Sequence, residues 1–226
     1  MMRAVHVATL AAMIALNCVS PAGADDDVDR AFATARVSAS AGDVVAQFSL
    51  GAMLYYGGTD TAQAIEWFRK AAAQGFPSAE FQMGQLYDFG FGVAQDDREA
   101  LTWYRRAADH GHRAGQRAVG DFFRRGRGVD ADAAEAARWY RRAADGDDLR
   151  AQYQLGQMYF TGTGVPRDYG SAYLWFSVAA GQTPLVDNEK ALIELRNIAA
   201  ARMTPEEEAA AARRVAAWKP GAPSAK

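Results

Sequence analysis

Residues Ala79 to Gly111 read AEFQMGQLYDFGFGVAQDDREALTWYRRAADHG. A helical run closes on Gly90-Phe91-Gly92-Val93, a short polar loop follows, and a second helical run closes on Trp103-Tyr104-Arg105-Arg106-Ala107-Ala108. The same order of residue types occurs once before this stretch and twice after it. A helix pair this short cannot shelter its own apolar side, so the copies have to bury one another. What the chain does is therefore a question of what such an array is for.

The copies align on a glycine in the first helix: Gly51, Gly84, Gly120 and Gly156, spaced 33, 36 and 36 residues apart. A fixed period of this size marks a solenoid of helix pairs. Five residues before the glycine stand Ala46, Ala79, Gly115 and Ala151; one before it, Leu50, Met83, Val119 and Leu155; three after it, Leu54, Tyr87, Phe123 and Tyr159. These positions form one stripe on a helix. Glycine inside a helix costs about 1 kcal/mol against alanine, so its return at one site predicts a close contact with no room for a side chain. The second helix carries Ala64, Trp67, Phe68, Ala71 and Ala72. Its copies keep the alanines, the tryptophan (Trp103, Trp139, Trp175) and the ring after it (Tyr104, Tyr140, Phe176). The spacing i, i+3, i+4, i+7, i+8 predicts a buried stripe, and a tryptophan at one place in every copy reads as core and not as a ligand cage.

The loops inside the pairs are Gly90-Phe91-Gly92-Val93, Gly126-Arg127-Gly128-Val129 and Gly162-Thr163-Gly164-Val165. Their first glycine suits the left-handed end of a helix. They follow a helix and not a strand, which argues against a phosphate loop. Asp60, Asp96, Asp132 and Asp168 open the second helices, with Gln63, Glu99 and Glu135 three residues on in the first three copies. That is the spacing of a capping box, so these carboxylates are read as caps and not as acid–base catalysts. His110 and His112 alternate in a turn with no cysteine to join them; a zinc pair on a helix would be spaced i, i+4, and both are read as solvated. No catalytic, cofactor-binding or metal-binding residue is assigned.

Bulk composition narrows the class. The chain has 226 residues, half of them apolar, and a formal charge of -2. Nucleic-acid binding calls for a strongly basic surface, so none is expected. The first 24 residues differ from the rest: Arg3 and His6, an apolar run from Val7 to Leu16, then Ala22-Gly23-Ala24 before three aspartates. This order is that of a cleaved secretory leader. Cleavage after Ala24 removes Arg3 and no acid, taking the charge from -2 to -3, and removes the only cysteine, Cys18. Asn17 sits where a lipoprotein leader has a small residue, so an anchor at Cys18 is disfavoured. The mature chain is expected to be periplasmic or secreted, with no transmembrane segment. The resulting layout is a leader over 1–24, an N-terminal capping helix within 25–42, four repeats over 43–182 (43–75, 76–111, 112–147, 148–182), C-terminal capping helices over 183–218, and a flexible tail over 219–226. Thr204-Pro205-Glu206-Glu207 carries a full capping-box signature for the last helix.

The recurring pattern Ala-x-x-x-Leu-Gly-x-x-Tyr-x-x-Gly-x-Gly-Val, then Asp, then Ala-x-x-Trp-(Tyr/Phe)-x-x-Ala-Ala-x-x-Gly resembles the Sel1-like repeat, a longer-looped relative of the tetratricopeptide repeat. It covers Val44 to Gly181. The first copy departs from it, with Gly57-Gly58-Thr59 in place of Gly-x-Gly-Val, and the third has Gly115 and Arg117 where others have alanine and an aromatic. In the third and fourth copies the closing glycine (Gly146, Gly181) arrives early. The resemblance implies an all-α, right-handed α/α solenoid with a concave groove, used as an adaptor or regulator and not as a catalyst. Exported bacterial members are similar to proteins of envelope signalling, polysaccharide export and host contact.

The partner is expected on first-helix positions three before, one after and four after the glycine, read as the face opposite the buried stripe. These give a groove of Phe48, Phe81, Gln85, Asp88, Arg117, Asp121, Arg124, Tyr153, Gln157 and Phe160. Aromatic and amide groups suit a peptide or protein segment. Arg117 and Arg124 favour an acidic stretch in that segment. The competing possibilities are that the aromatics pack between repeats, that the groove takes an envelope glycan, or that Asp88 and Asp121 serve a wall-directed enzyme.

Overall fold

A computed structural model describes residues 24–182 and 186–221. The expected leader and Cys18 lie outside the described residues, as does the tail beyond Gly221. The described residues form eleven helices and no strand. They fall into two compact units, divided between His110 and Gly111.

In the first unit, α1 (Ala24–Ser40) precedes the pairs α2 (Val44–Tyr56) with α3 (Thr61–Ala73) and α4 (Pro77–Phe89) with α5 (Asp97–Asp109). In the second, α6 (Arg113–Arg125) pairs with α7 (Ala133–Asp145) and α8 (Leu149–Thr161) with α9 (Tyr169–Ala180); α10 (Val186–Ala200) and α11 (Pro205–Ala217) then pack on α9. Helix α1 begins at Ala24, one residue before the segment in which the sequence pattern places the capping helix.

The repeated glycine does what its recurrence predicts. A Cβ on Gly51 would lie 2.8 Å from Phe68, one on Gly84 2.5 Å from Tyr104, one on Gly120 2.9 Å from Tyr140, and one on Gly156 2.7 Å from Phe176. In each pair the first helix gives up a side chain so that a fully buried ring of the second can lie on its backbone. The tryptophan beside that ring is less sheltered than the stripe predicts. Trp67, Trp103 and Trp139 are half-buried, and Trp175 is fully buried. Three residues on, Lys70, Arg106 and Arg142 stack over the first three rings at 4.0, 4.4 and 4.4 Å. A long cationic side chain can cover an indole while its head stays wet.

Asp60, Asp96, Asp132 and Asp168 all cap their helices through the side chain. The expected reciprocal half of the box does not form in repeats two and three. The Asp96, Asp132 and Asp168 N–H groups donate instead to Tyr87, Phe123 and Tyr159 O, each at 3.0 Å, so no donor is left for a glutamate to accept, and Glu135 turns to Arg138. Thr204 and Glu207 do form a complete capping box. The early Gly146 is resolved by Asp147, which takes the left-handed conformation (φ 74°) that Gly75 and Gly111 take in the earlier repeats. At the chain's end, Gly221 N–H donates to Asp145 O at 2.7 Å.

Candidate functional site

The expected partner-binding positions were assigned to the face opposite the stripe. At 100° per residue the positions three before and four after fall about 60° and 40° beyond the glycine, on the flank of the stripe, while the position one after, at about 100°, faces away from it. The structure shows the consequence: the side chains on the flank are drawn toward the buried ring. Phe48 meets Phe68 at 5.7 Å and Phe76 at 5.3 Å, Phe81 meets Tyr104 at 5.4 Å, and Tyr153 meets Phe176 at 6.3 Å between ring centres. Phe160 packs edge-on to Tyr169 at 5.4 Å. Gln157 donates to Tyr153 Oη at 2.6 Å, and Gln85 is half-buried.

The two carboxylates are explained by the two tyrosines. Where the buried ring is phenylalanine, no acid stands nearby at these positions; where it is tyrosine, one does. Tyr104 donates to Asp88 Oδ2 at 3.0 Å and Tyr140 to Asp121 Oδ1 at 2.8 Å. A buried phenol needs an acceptor, and each repeat supplies one from a different turn of its first helix. Burial, then the negative charge of Asp121, pushes the Tyr140 phenol well above its usual value, against the opposing Arg124. Arg124 Nε donates to Tyr140 Oη at 3.0 Å and its guanidinium lies 3.6 Å from Asp121. Arg117 stands where the other repeats carry an aromatic and reaches Asp121 and Asp148, each at 3.3 Å. Its side chain is only 19% exposed. It therefore ties α6 to the cap of α8. The arginine pair expected to meet an acidic partner is engaged with carboxylates of its own unit.

Three features escaped the sequence reading. The first is a buried polar row four residues before each glycine: Gln47, Glu80, Gln116 and Gln152. Gln47 donates to Ala39 O at 3.2 Å and Gln152 to Ala144 O at 3.3 Å, so in repeats one and four this position fastens the first helix to the end of the helix before it. Glu80 meets Arg106 at 3.2 Å and His110 Nδ1 at 2.7 Å, while Arg106 also donates to Ala72 O at 3.1 Å. The second concerns the pair of histidines. His110 is exposed, as expected, although its Nδ1 reaches the buried Glu80, whereas His112 caps α6, its Nδ1 accepting from Gly115 N–H at 3.1 Å. Burial, then the Arg113 charge, holds the His112 imidazole below its usual value, with Asp148 opposing. The third is a set of exposed rings. Tyr56, Phe89 and Phe91 are 69, 57 and 53% exposed. The first two stand five residues after the aligned glycine, about 140° around the helix, which is the true outer face.

Among the described residues no group of histidine, cysteine or acidic side chains could hold a metal, and no helix is long and apolar enough to cross a membrane. In comparison with known proteins, the family described as Sel1 repeat matches over residues 44–76, 77–112, 113–148 and 149–183. A solved structure of a Sel1 repeat protein from Oxalobacter formigenes is similar at 35% identity and a TM-score of 0.69, covering 83% of this chain and 78% of that one. A protective antigen present in uropathogenic Escherichia coli strains, displaying an SLR fold, is 30% identical at a TM-score of 0.53 over 83% of this chain, which spans 48% of that one. No protein of curated function matches the sequence at a significant level. The helix pairs and these likenesses together give the α/α-solenoid class.

Proposed function

The chain belongs to the Sel1 repeat family, and from that membership we propose that it is a non-enzymatic adaptor of the bacterial cell envelope, exported by its leader and holding a peptide or protein segment against the first helices of its repeats. Sel1 repeats generally mediate protein–protein interaction. The observation that carries the reading is how the chemistry is divided. Asp88 and Asp121, on which a wall-directed catalyst would rest, are each hydrogen-bonded to a core tyrosine. Gln85 and Gln157 leave half-exposed amides on the first helices, and amides bond equally well to the backbone of any extended segment. An acidic stretch in the partner has less support than the sequence alone gives it, because Arg117 already holds two carboxylates.

The test places a photo-reactive residue at Gln85 and, separately, at Gln157 in the full chain expressed in its native host. Adducts to one recurrent protein from both positions are expected, in the fraction released by osmotic shock, with the purified chain starting at Asp25. Adducts from neither position, while exposed control positions on α11 do crosslink, would overturn the groove reading. Release of soluble fragments from purified wall material would favour an enzyme instead.

A further inference from the structure

The rings of Tyr56, Phe89 and Phe91 lie outside the groove just described, and the core does not call for them. The reason is visible in the repeats themselves. The residues on either side of the left-handed glycine that ends the first helix are Phe89 and Phe91 in repeat two, Arg125 and Arg127 in repeat three, and Thr161 and Thr163 in repeat four. The backbone is the same in all three: Phe91, Arg127 and Thr163 N–H donate to Leu86, Phe122 and Met158 O at 3.0, 3.0 and 3.1 Å. The fold thus accepts aromatic, basic or hydroxyl pairs at one place, and in repeat two it displays two phenylalanines to water.

These rings are held in place. Phe89 and Phe91 stack at 5.6 Å with 28° between planes. Gly90 sits at φ 71°, and a Cβ on Gly92 would come within 2.8 Å of both Thr61 and Ile65, so the turn is seated against α3. On α4, Gln82, Gln85 and Phe89 follow at i, i+3 and i+7, one face of a helix. Tyr56 extends that face by donating to Gln82 Oε1 at 3.3 Å. Gln82 is itself buried beneath it. A platform fixed before binding loses little freedom when something docks.

We infer that Tyr56, Phe89 and Phe91 form a docking platform for a linear segment of another protein bearing two neighbouring large apolar side chains. Size and polarity select this occupant. Rings of this kind present roughly 150–250 Å² each when bare, so at their exposures the three offer on the order of 400 Å². A stable interface between folded partners takes about 800 Å² from each side. Half of that suits a short segment and falls short for a second copy of this chain. A glycan would bring a rim of hydroxyls, each needing a partner, but the three rings carry one hydroxyl between them, already donated to Gln82. The platform rests on the protein-binding reading above and not on the groove.

The test pans a phage-displayed library of random twelve-residue peptides on the immobilised full chain, then measures a labelled selected peptide by fluorescence anisotropy. Peptides with paired aromatic or long aliphatic residues are expected. Phe89→Thr with Phe91→Thr, the pair that repeat four already accommodates, is expected to weaken them at least tenfold while the melting temperature stays close to that of the parent. Should the double variant melt early, Phe91→Thr alone carries the comparison. Gln157→Arg, in repeat four and off this face, should leave peptide binding intact. The inference is overturned if no peptide is selected, if the threonine pair binds as tightly as the parent, if that pair instead abolishes self-association in sedimentation, or if a glycan array and not the peptides reports the loss. Groove adducts that persist in the threonine variant, with peptide binding unaffected, would sink the platform and leave the adaptor reading standing.

Discussion

Replacing Gly84 by alanine puts two opposing effects at one atom. Alanine is the better helix residue by about 1 kcal/mol, and on an open helix the change would stabilise. Here the new Cβ would lie 2.5 and 2.6 Å from Tyr104 Cδ1 and Cε1 and 3.0 Å from Cγ. Carbon atoms rest at roughly 3.5–4.0 Å, so ring or helix must move by about 1 Å. Tyr104 is 2% exposed and its hydroxyl is fixed to Asp88 at 3.0 Å, so the ring cannot swing out freely. Overpacking of this kind costs about 1–3 kcal/mol, and straining the phenol's bond adds about 1 kcal/mol. The net expectation is a loss of about 1–3 kcal/mol, or roughly 2–12 °C for a chain of this size. Gly181→Ala is the matched control: its backbone is right-handed and its nearest neighbours are 3.7 Å away, so it should be neutral. Thermal and urea unfolding by circular dichroism measure both. A double-mutant cycle with Tyr104→Leu should show the two changes to be less than additive by about 1 kcal/mol. A higher melting temperature for Gly84→Ala, or additivity in the cycle, would refute the lock between glycine and ring.

Three further expectations follow from the site geometry. Asp132→Ala should cost about 1 kcal/mol of cap energy, whereas Glu135→Ala should cost no more than about 0.5 kcal/mol, the value of an exposed i, i+3 pair; equal losses in urea melts would restore the box. His112 is held below its usual 6.5, so the stability it lends is fully present above that pH and is lost as pH falls through the lower folded value. His112→Asn, which caps without titrating, should flatten that part of the stability–pH curve between pH 8 and 5. Arg117→Glu should lower stability by about 2 kcal/mol by taking from Asp148 its cation and leaving Asp121 with Arg124 alone; an unchanged melting temperature would return Arg117 to the list of free recognition residues.

Much of the fold was legible because close packing leaves a mark that repeats. A glycine in mid-helix is unfavourable unless something needs the space, and four of them at one period locate that need before any coordinate is known. The caps at Asp60, Asp96, Asp132 and Asp168 were legible for a similar reason, since the polar residue and the helix start are adjacent in the chain. Partners far apart in sequence were not. The carboxylate that answers Tyr104 stands four residues after its glycine and the one that answers Tyr140 stands one after, so neither position looks periodic and both acids read as surface. His112 was misread because a cap depends on which backbone groups come near it. The outer face was misplaced by an angle: positions about 40° and 60° from the glycine border the buried stripe.

The buried polar row shows what the array requires at its joints. Four residues before the glycine is about 40° from it, so Gln47, Glu80, Gln116 and Gln152 lie within the buried stripe by geometry and look wrong there only by polarity. An apolar residue at that place would pack, but it would leave the carbonyls at the end of the preceding helix without a donor, and a buried unmet carbonyl costs about 1–3 kcal/mol. Glutamine meets such a carbonyl directly, as Gln47 does at Ala39 and Gln152 at Ala144. Glutamate cannot donate, so repeat two needs Arg106 to bond Ala72 O and to pair with Glu80 in the same stroke. Glu80→Gln should therefore be tolerated, since it restores the donor used elsewhere, while Arg106→Gln in the natural background should destabilise by leaving a carboxylate that has no exposure at all with His110 as its remaining partner. If Arg106→Gln proves silent and Glu80→Gln costly, the row is not a set of equivalent joints, and the second repeat is held to the first by something other than this substitution of an ion pair for an amide.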